Sequence, residues 1–572
     1  MNKFPGVTGD VSRRNRASIK SGMRANPWWT LAAVSIGSVM VGLDGSAVAI
    51  ANPRIAIDLH ASLIDLQWIT NAYLLALAAL LIFGGKLGDR LGRRQMFLVG
   101  VSGFAATSVG IGLIGTVDGV IALRTLQGVF GALLMPSCLA IVRSTFAPEK
   151  LSTAIGIWGA TSGVSIAAGP IVGGLLVEGV GWQSIFYINA PIAAAALLFG
   201  TLAIIEKRSE RNEHLDVPGI VTLSCGLVLI VYGLIEGPHW GWLDTKTPAC
   251  LIGGVLVVGL FVMIEFHAPY PLLPMRLFAN RSLSIGTLVL IVNYFALFGA
   301  PFLMSLYLQN VQGLSPVQAG IRALPLSLAL MVTPPLSGVL TARLGSRPAM
   351  VGGLATVAVA LFWLTFLHPD SGYQAMWPAF VLLGVGIGLV VTASSGAIVG
   401  NASVDDAGVA GGLQSTAVQL GGVLGTTILG SVLSSRVGSA LVGALTAAGT
   451  PGPVAEKLSG AQGLVAQGVA PTAPDMPASL AQAVANGSHA AFMEGLQASM
   501  MVAAICAAVG SVLAMFVRRG GNSRAAIAVD HRAATSGPPA ITRRRRPPHI
   551  IVVRGRLGRE NGDRTASGAA SR

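Results

Sequence analysis

The chain has 572 residues, of which 53% are hydrophobic and only 11% charged, with a mean hydropathy of +0.69. So little charge cannot cover a soluble domain, and the apolar residues fall in runs of about 20, long enough to cross ~30 Å of hydrocarbon as helices, whereas a membrane β-barrel would alternate over segments of about 10. The net charge of +14 is local, because residues 518–572 carry 13 Arg against three acids and supply +10 of it.

Residues 1–27 are polar and basic (Lys3, Arg13, Arg14, Arg16, Lys20, Arg24). The apolar run that follows is too long for a signal-peptide core and lacks an obvious small-residue cleavage site, so it reads as a retained first helix. Hydropathy predicts fourteen spans, at 28–50, 66–85, 95–114, 119–142, 152–176, 183–205, 217–236, 247–266, 282–308, 318–342, 348–367, 375–398, 408–432 and 490–517. The expected fold class is therefore an all-α polytopic membrane protein. Lys and Arg in the short loops set the orientation. With the N-terminus inside, Lys86 to Arg94, Arg143 with Lys150, Lys207 with Arg208 and Arg211, Arg276 with Arg281, and Arg343 with Arg347 are all cytoplasmic. Only Arg54, Lys246, Arg436 and Lys457 fall outside.

A long outer loop is expected at 433–489, rich in Ala, Gly and Pro. The even span count returns the C-terminus to the cytoplasm. The tail 518–572 reads as disordered from its Pro and Gly content. Its RRRRPP run then lies beside anionic lipid, where each cation contributes about 1 kcal/mol, and lipid rather than nucleic acid is its expected partner. Arg outnumbers Lys by 31 to 7, which with the Ala and Gly richness points to a GC-rich bacterial genome. Cys138, Cys225, Cys250 and Cys506 lie in or beside apolar segments without metal spacing and read as buried bystanders.

Several stretches are too particular to be topology alone. GKLGDRLGRR puts Gly85, Gly88, Asp89, Arg90, Gly92, Arg93 and Arg94 between the second and third spans. Its glycines permit a tight turn, and Asp89 can accept hydrogen bonds at the positive end of a neighbouring helix. GVLTARLGSR, residues 338–347, is a faded copy that keeps Arg343, Gly345 and Arg347 but has lost the acid. The fourth span carries Arg124, Gln127 and Gly128 as R-x-x-Q-G; the fifth carries Gly169, Pro170, Gly173 and Gly174 as G-P-x-x-G-G; and the first carries LDGSAVAIANP, with Leu43, Asp44, Ser46, Ala51 and Pro53.

Together these resemble the major facilitator superfamily, and within it the fourteen-helix drug:proton antiporters, over about residues 28–517. Ala49, where that subfamily usually has asparagine, and Asn52, in place of an apolar residue, depart from its pattern. The resemblance implies two six-helix bundles, 28–205 and 282–517, with two additional helices at 217–266. It implies that the Gly85–Arg94 turn is an inner latch between the bundles, that the fifth-span glycines and Pro170 shape the cavity, and that Arg124 takes part in a proton relay.

Asp44 is the first candidate for chemistry. A charged carboxylate within a membrane is costly, so a proton would neutralise it and an emptied site would attract a cationic compound. Arg124 cannot readily lose its proton, but it can couple proton binding to conformation. Gln127, Asn71, Asn293, Gln414 and Gln419, with Arg322, are candidates for a polar substrate cavity. Glu236 and Glu265 flank the additional helices and read as interfacial or structural. No G-x-x-x-x-G-K-[ST] loop is present, which leaves primary active transport unsupported, and no metal cluster or nucleophile-base constellation stands out. The expectation is a non-enzymatic, cofactor-free, proton-coupled exporter of small amphipathic or drug-like compounds, functional as a monomer in the bacterial inner membrane. Export of an endogenous metabolite, lipid or siderophore, uptake, and a non-transporting membrane sensor are the alternatives.

Overall fold

The computed structural model describes residues 26–206, 216–269, 271–402, 406–473 and 475–517. The basic segments 1–25 and 518–572, with Lys207, Arg208 and Arg211, lie outside the described residues. Fourteen helices among the described residues are long and apolar enough to cross a membrane, so the chain is a multi-pass membrane protein. They are α1 (Pro27–Leu59), α2 (Leu63–Leu91), α3 (Arg93–Leu113), α4 (Val117–Thr145), α5 (Pro148–Gly179), α6 (Ser184–Ala203), α7 (Val217–Trp240), α8 (Lys246–His267), α9 (Arg281–Leu306), α10 (Leu324–Leu344), α11 (Ser346–Leu364), α12 (Tyr373–Val399), α13 (Ala407–Ala447) and α14 (Ala478–Ala514).

Local sequence explains the breaks between them. Asn26 caps α1 by accepting the Trp28 N–H at 3.0 Å, and Pro27 occupies the first turn, where its missing N–H has no partner to lose. Ser62 and Asp65 form a capping box at the start of α2. Gly92 (φ +111°) joins α2 to α3, and Gly345 (φ +83°) joins α10 to α11 at the corresponding place in the second half. Both sit where an L side chain is strained. At Gly92 a Cβ would also lie 2.6 Å from Glu206 Oε1.

The expected outer loop at 433–489 is shorter in the structure. α13 continues to Ala447 and α14 begins at Ala478, leaving a connection that holds the short helices Gly452–Leu458 and Gln462–Val465. Hydropathy marks where a helix leaves the membrane, not where it ends, and the Ala and Leu residues of 433–447 sustain the helix despite Gly438 and Gly443. At 1.5 Å per residue the 41-residue α13 is about 60 Å long, twice the hydrocarbon thickness. The span expected at 318–342 is likewise two pieces, Pro316–Arg322 and α10.

α1–α6 pack on one another, as do α9–α14, while α7 and α8 pair together. α7 also lies against α2 and α13, where the two halves meet. Trp68 faces Tyr232 at 5.8 Å, and Ser431 Oγ donates to Leu234 O at 2.6 Å.

The two ends of this assembly differ. At the end away from the Gly85–Arg94 turn, one apolar cluster runs unbroken through both halves, from Ala51, Ile55 and Trp182 to Phe302, Tyr307 and Leu441. There Gln309 Nε2 donates to Ile50 O at 3.0 Å, and the Val317 N–H donates to Glu178 Oε2 at 3.1 Å. Toward the turn end the apolar core divides among further clusters: one mainly of first-half residues with Val423 of α13, one along the α2–α13 seam and one in the second half. A Cβ on Gly156, Gly159 or Gly163 of α5 would meet nothing within 4 Å. The halves are closed at one end and parted along α5 at the other.

Candidate functional site

Asp44 lies about midway along α1, and it is 1% exposed. Its Oδ2 accepts Arg124 Nη1 at 2.6 Å; its Oδ1 accepts Gln127 Nε2 and Asn189 Nδ2, each at 3.0 Å. Arg124 Nη1 also donates to Gln127 Oε1 at 2.6 Å, and its Nε donates to Ile69 O at 3.1 Å. The guanidinium carbon stands 4.3 Å from the centre of the Tyr73 ring and 5.8 Å from that of Phe186. Ser108 Oγ accepts from both Gln127 (2.7 Å) and Asn189 (3.1 Å).

Five helices, α1, α2, α3, α4 and α6, thus meet at one buried ion pair. Burial of two charges is tolerable only where each lone pair and proton is satisfied, and this shell does so almost completely. Asn189 and Ser108 were not among the residues expected from sequence. The available signal was Asn189 near the end of WQSIFYINAP, just before the apolar run of α6.

Asp44 points into the first half, away from the space between the halves. Its neighbours Gly45, Ser46 and Ala49 face that space instead, as a turn of 100° per residue requires. They line a cavity whose other wall comes from α9, α10, α12 and the short helix Pro316–Arg322. The surface is aliphatic and aromatic, with Phe298, Met304, Leu326 and Phe380 prominent, and its polar groups are the hydroxyls of Ser46, Ser305 and Ser327.

None of the five residues expected to line a polar cavity lines this one. Gln127 belongs to the ion-pair shell. Asn71 bonds across the seam between the halves, to Thr427 Oγ1 at 2.8 Å and to the Thr426 hydroxyl, beside Gln67, which donates to the carbonyls of Thr426 and Thr427. Asn293 donates to Ile387 O at 3.4 Å, and Gln414 to Ser395 Oγ at 2.8 Å, both inside the second half. Gln419 is half-buried on α13. Arg322 donates to Gln312 Oε1 at 2.8 Å at the closed end. Glu265 accepts the N–H groups of Leu272 and Leu273 at 3.2 and 3.0 Å, fixing the turn that follows α8.

The Gly169–Gly174 stretch does bring the two halves together. A Cβ on Gly169 would fall on Ser46 Oγ, and one on Gly173 would lie 3.2 Å from Ala47 Cβ, so α5 and α1 touch almost backbone to backbone. On the opposite face, a Cβ on Gly174 would lie 2.7 Å from Pro316 O. Pro170 lines the cavity.

The Gly85–Arg94 turn behaves differently from a latch joined across the halves. Asp89 pairs with Arg93 through Nη2 (2.7 Å) and Nε (2.8 Å). Arg93 Nη1 donates to Ala140 O at 3.2 Å, and Arg94 Nη2 to Thr201 O at 3.2 Å, both in the first half. Arg90 is exposed. Lys86 Nζ reaches out of the first half, to Pro271 O at 3.0 Å. Asp89 meets the start of α3 through a side chain rather than through backbone N–H groups. Among the described residues its ion-pair partner is Arg93, in the first half.

Comparison with known proteins agrees with this architecture. Residues 34–426 match the family model of the Major Facilitator Superfamily. The chain is 45% identical over 502 residues to the tetracenomycin C resistance and export protein of Streptomyces glaucescens, covering 87% of this chain and 93% of that one. It is 36% identical over 410 residues to the puromycin resistance protein pur8 of Streptomyces alboniger, covering 71% and 81%. Among solved structures, a bacterial homolog of the human lysosomal transporter Spinster, in an inward-facing and occupied conformation, superposes with a TM-score of 0.58 at 15% identity, over 85% of this chain and 96% of that one. With fourteen candidate membrane-spanning helices among its described residues, the chain belongs to the Major Facilitator Superfamily.

Proposed function

We propose that the chain is a proton-coupled secondary exporter of small amphipathic, drug-like compounds. It works as a single chain in the bacterial inner membrane, with both termini and the Gly85–Arg94 turn in the cytoplasm. The observation that carries this reading is the sealed Asp44–Arg124 pair, whose acid is one residue away from the wall of a cavity shared by both halves. Two relatives named for antibiotic resistance support a drug-like cargo.

In this reading the halves are parted toward the cytoplasm and closed outward. Cargo enters the cavity from inside. A proton arriving from outside neutralises Asp44 and loosens its hold on Arg124 after the halves have rocked, and the proton leaves inward on return. One charge moving through 100 mV supplies about 2.3 kcal/mol, and one pH unit about 1.4 kcal/mol. Their sum sustains a gradient of roughly several hundredfold for a neutral cargo carried by one proton.

The test uses inverted membrane vesicles with a respiration-driven acid interior. Addition of cargo should release protons from the lumen, an uncoupler should stop cargo accumulation, and Asp44→Asn should abolish both while the protein still elutes as one species in detergent. Gradient-dependent transport in Asp44→Asn removes Asp44 from the mechanism; accumulation indifferent to the uncoupler defeats proton coupling altogether. A second reading, export of a compound made by the cell itself, is favoured by the 45% identity to a protein named for both resistance and export. Deleting the gene separates the two: intracellular build-up of a native product marks the second.

A further inference from the structure

We propose that the cavity takes its cargo as an uncharged molecule, and that transport is therefore driven by membrane potential as well as by the pH gradient. The inference rests on the exporter reading above and narrows it.

Every residue of the cavity wall is neutral. The wall is concave and mostly apolar, as small-molecule sites are, and the apolar body of a cargo would meet Phe298, Met304, Leu326 and Phe380. What the wall offers beyond that is hydroxyl groups. Ser305 Oγ accepts from Gln309 Nε2 at 2.9 Å, which leaves its own hydrogen to donate into the cavity. Ser46 Oγ donates to Gly42 O at 2.9 Å, which leaves its lone pairs to accept. Such groups suit carbonyl and hydroxyl substituents.

A cation would find no counter-charge there. The acid of α1 is turned away from the cavity, 1% exposed and already holding Arg124, Gln127 and Asn189. Two charges at the closed end are also engaged elsewhere: Glu178 accepts the Val317 N–H, and Arg322 binds Gln312. An unpaired charge in a low-dielectric cavity is strongly disfavoured. The expectation that an emptied Asp44 attracts a cationic compound therefore does not suit this geometry.

Exchange of one proton for a neutral cargo moves one net positive charge inward per cycle. Exchange of one proton for a monocation moves none. Potential alone, 100 mV with no pH gradient, would thus raise a neutral cargo about fifty-fold and leave a 1:1 cation exchanger unmoved.

The test uses the full chain in liposomes, with potassium and valinomycin setting the potential and pH set separately. The probes are chloramphenicol and griseofulvin, both uncharged, against tetraphenylphosphonium and ethidium, both permanent cations. Expected are potential-driven transport of an uncharged probe and at least tenfold lower kcat/KM for both cations. Ser327→Asp, which puts a carboxylate into the wall, should raise cation transport at least tenfold; Ser305→Asp repeats the test should the first variant not fold. Wild-type transport of either cation with kcat/KM equal to or above that of the uncharged probes overturns the inference and leaves the exporter reading standing. Indifference of neutral transport to potential overturns it also. If no gradient moves any probe, the exporter reading falls and this inference with it.

Discussion

Replacement of Arg124 by Gln tests the buried pair most directly. The guanidinium is 1% exposed, lies 2.6 Å from Asp44 Oδ2, donates to Gln127 and Ile69, and covers the Tyr73 ring. Removing one partner of a buried pair costs about 3–5 kcal/mol, because the other charge is left uncompensated. Arg124→Gln should lose stability on that scale.

Asp44→Asn leaves Arg124 uncompensated in turn, since an arginine does not release its proton. In the double variant neither charge remains, and the loss should fall short of the sum of the singles by at least about 2 kcal/mol. Unfolding of the four proteins by dodecyl sulfate in mixed micelles measures the three losses. Additive losses would refute the reasoning.

Two further outcomes follow from packing. Gly174→Ala places a Cβ 2.7 Å from Pro316 O and 3.0 Å from Val317 Cα, backbone atoms that cannot yield; it should open the closed end, lengthening spin-label distances between positions 178 and 317, and lower transport at least tenfold. Asn52 is fully buried with neither side-chain polar atom bonded, so Asn52→Leu should leave stability unchanged or raise it by about 1–3 kcal/mol, read as a higher melting temperature in detergent; a fall would show that Asn52 has a polar partner.

Much of the fold was legible because a bilayer imposes a length. Runs of about 20 apolar residues betray themselves whatever the packing, and glycines at 92 and 345 mark their turns by a backbone conformation other residues resist. The helix ends were less legible: α13 and α14 run on beyond the spans expected from hydropathy. The site divided along a similar line. Asp44, Arg124 and Gln127 stood out as polar groups in spans that otherwise exclude them, and the structure gathers them with Asn189, which is 145 residues from Asp44 in the chain. Polarity alone does not say how Asn71, Asn293 and Gln414 are used. Side chains of this kind also bond helix to helix within a membrane, and that is how these three are used. Nor does sequence distinguish a Leu that lines a cavity, such as Leu326, from an exposed one such as Leu336.

The position of the acid constrains how a proton and a cargo can compete. Asp44 and the cavity lie on different faces of α1, so a bound compound does not touch the carboxylate. If Asp44 takes the proton, the message has to travel through the helix that carries both. α1 is held on one side by Arg124, Gln127 and Asn189, and on the other by Gly169 and Gly173 of α5. α5 in turn meets Pro316 at the closed end through Gly174. Loosening the first contact frees α1 to shift against α4, and contacts this close pass a shift on rather than absorb it. The small residues of α5 then serve as more than packing: they make the acid and the closed end one mechanical unit, whose stiffness a single added methyl group at Gly173 would alter without touching either.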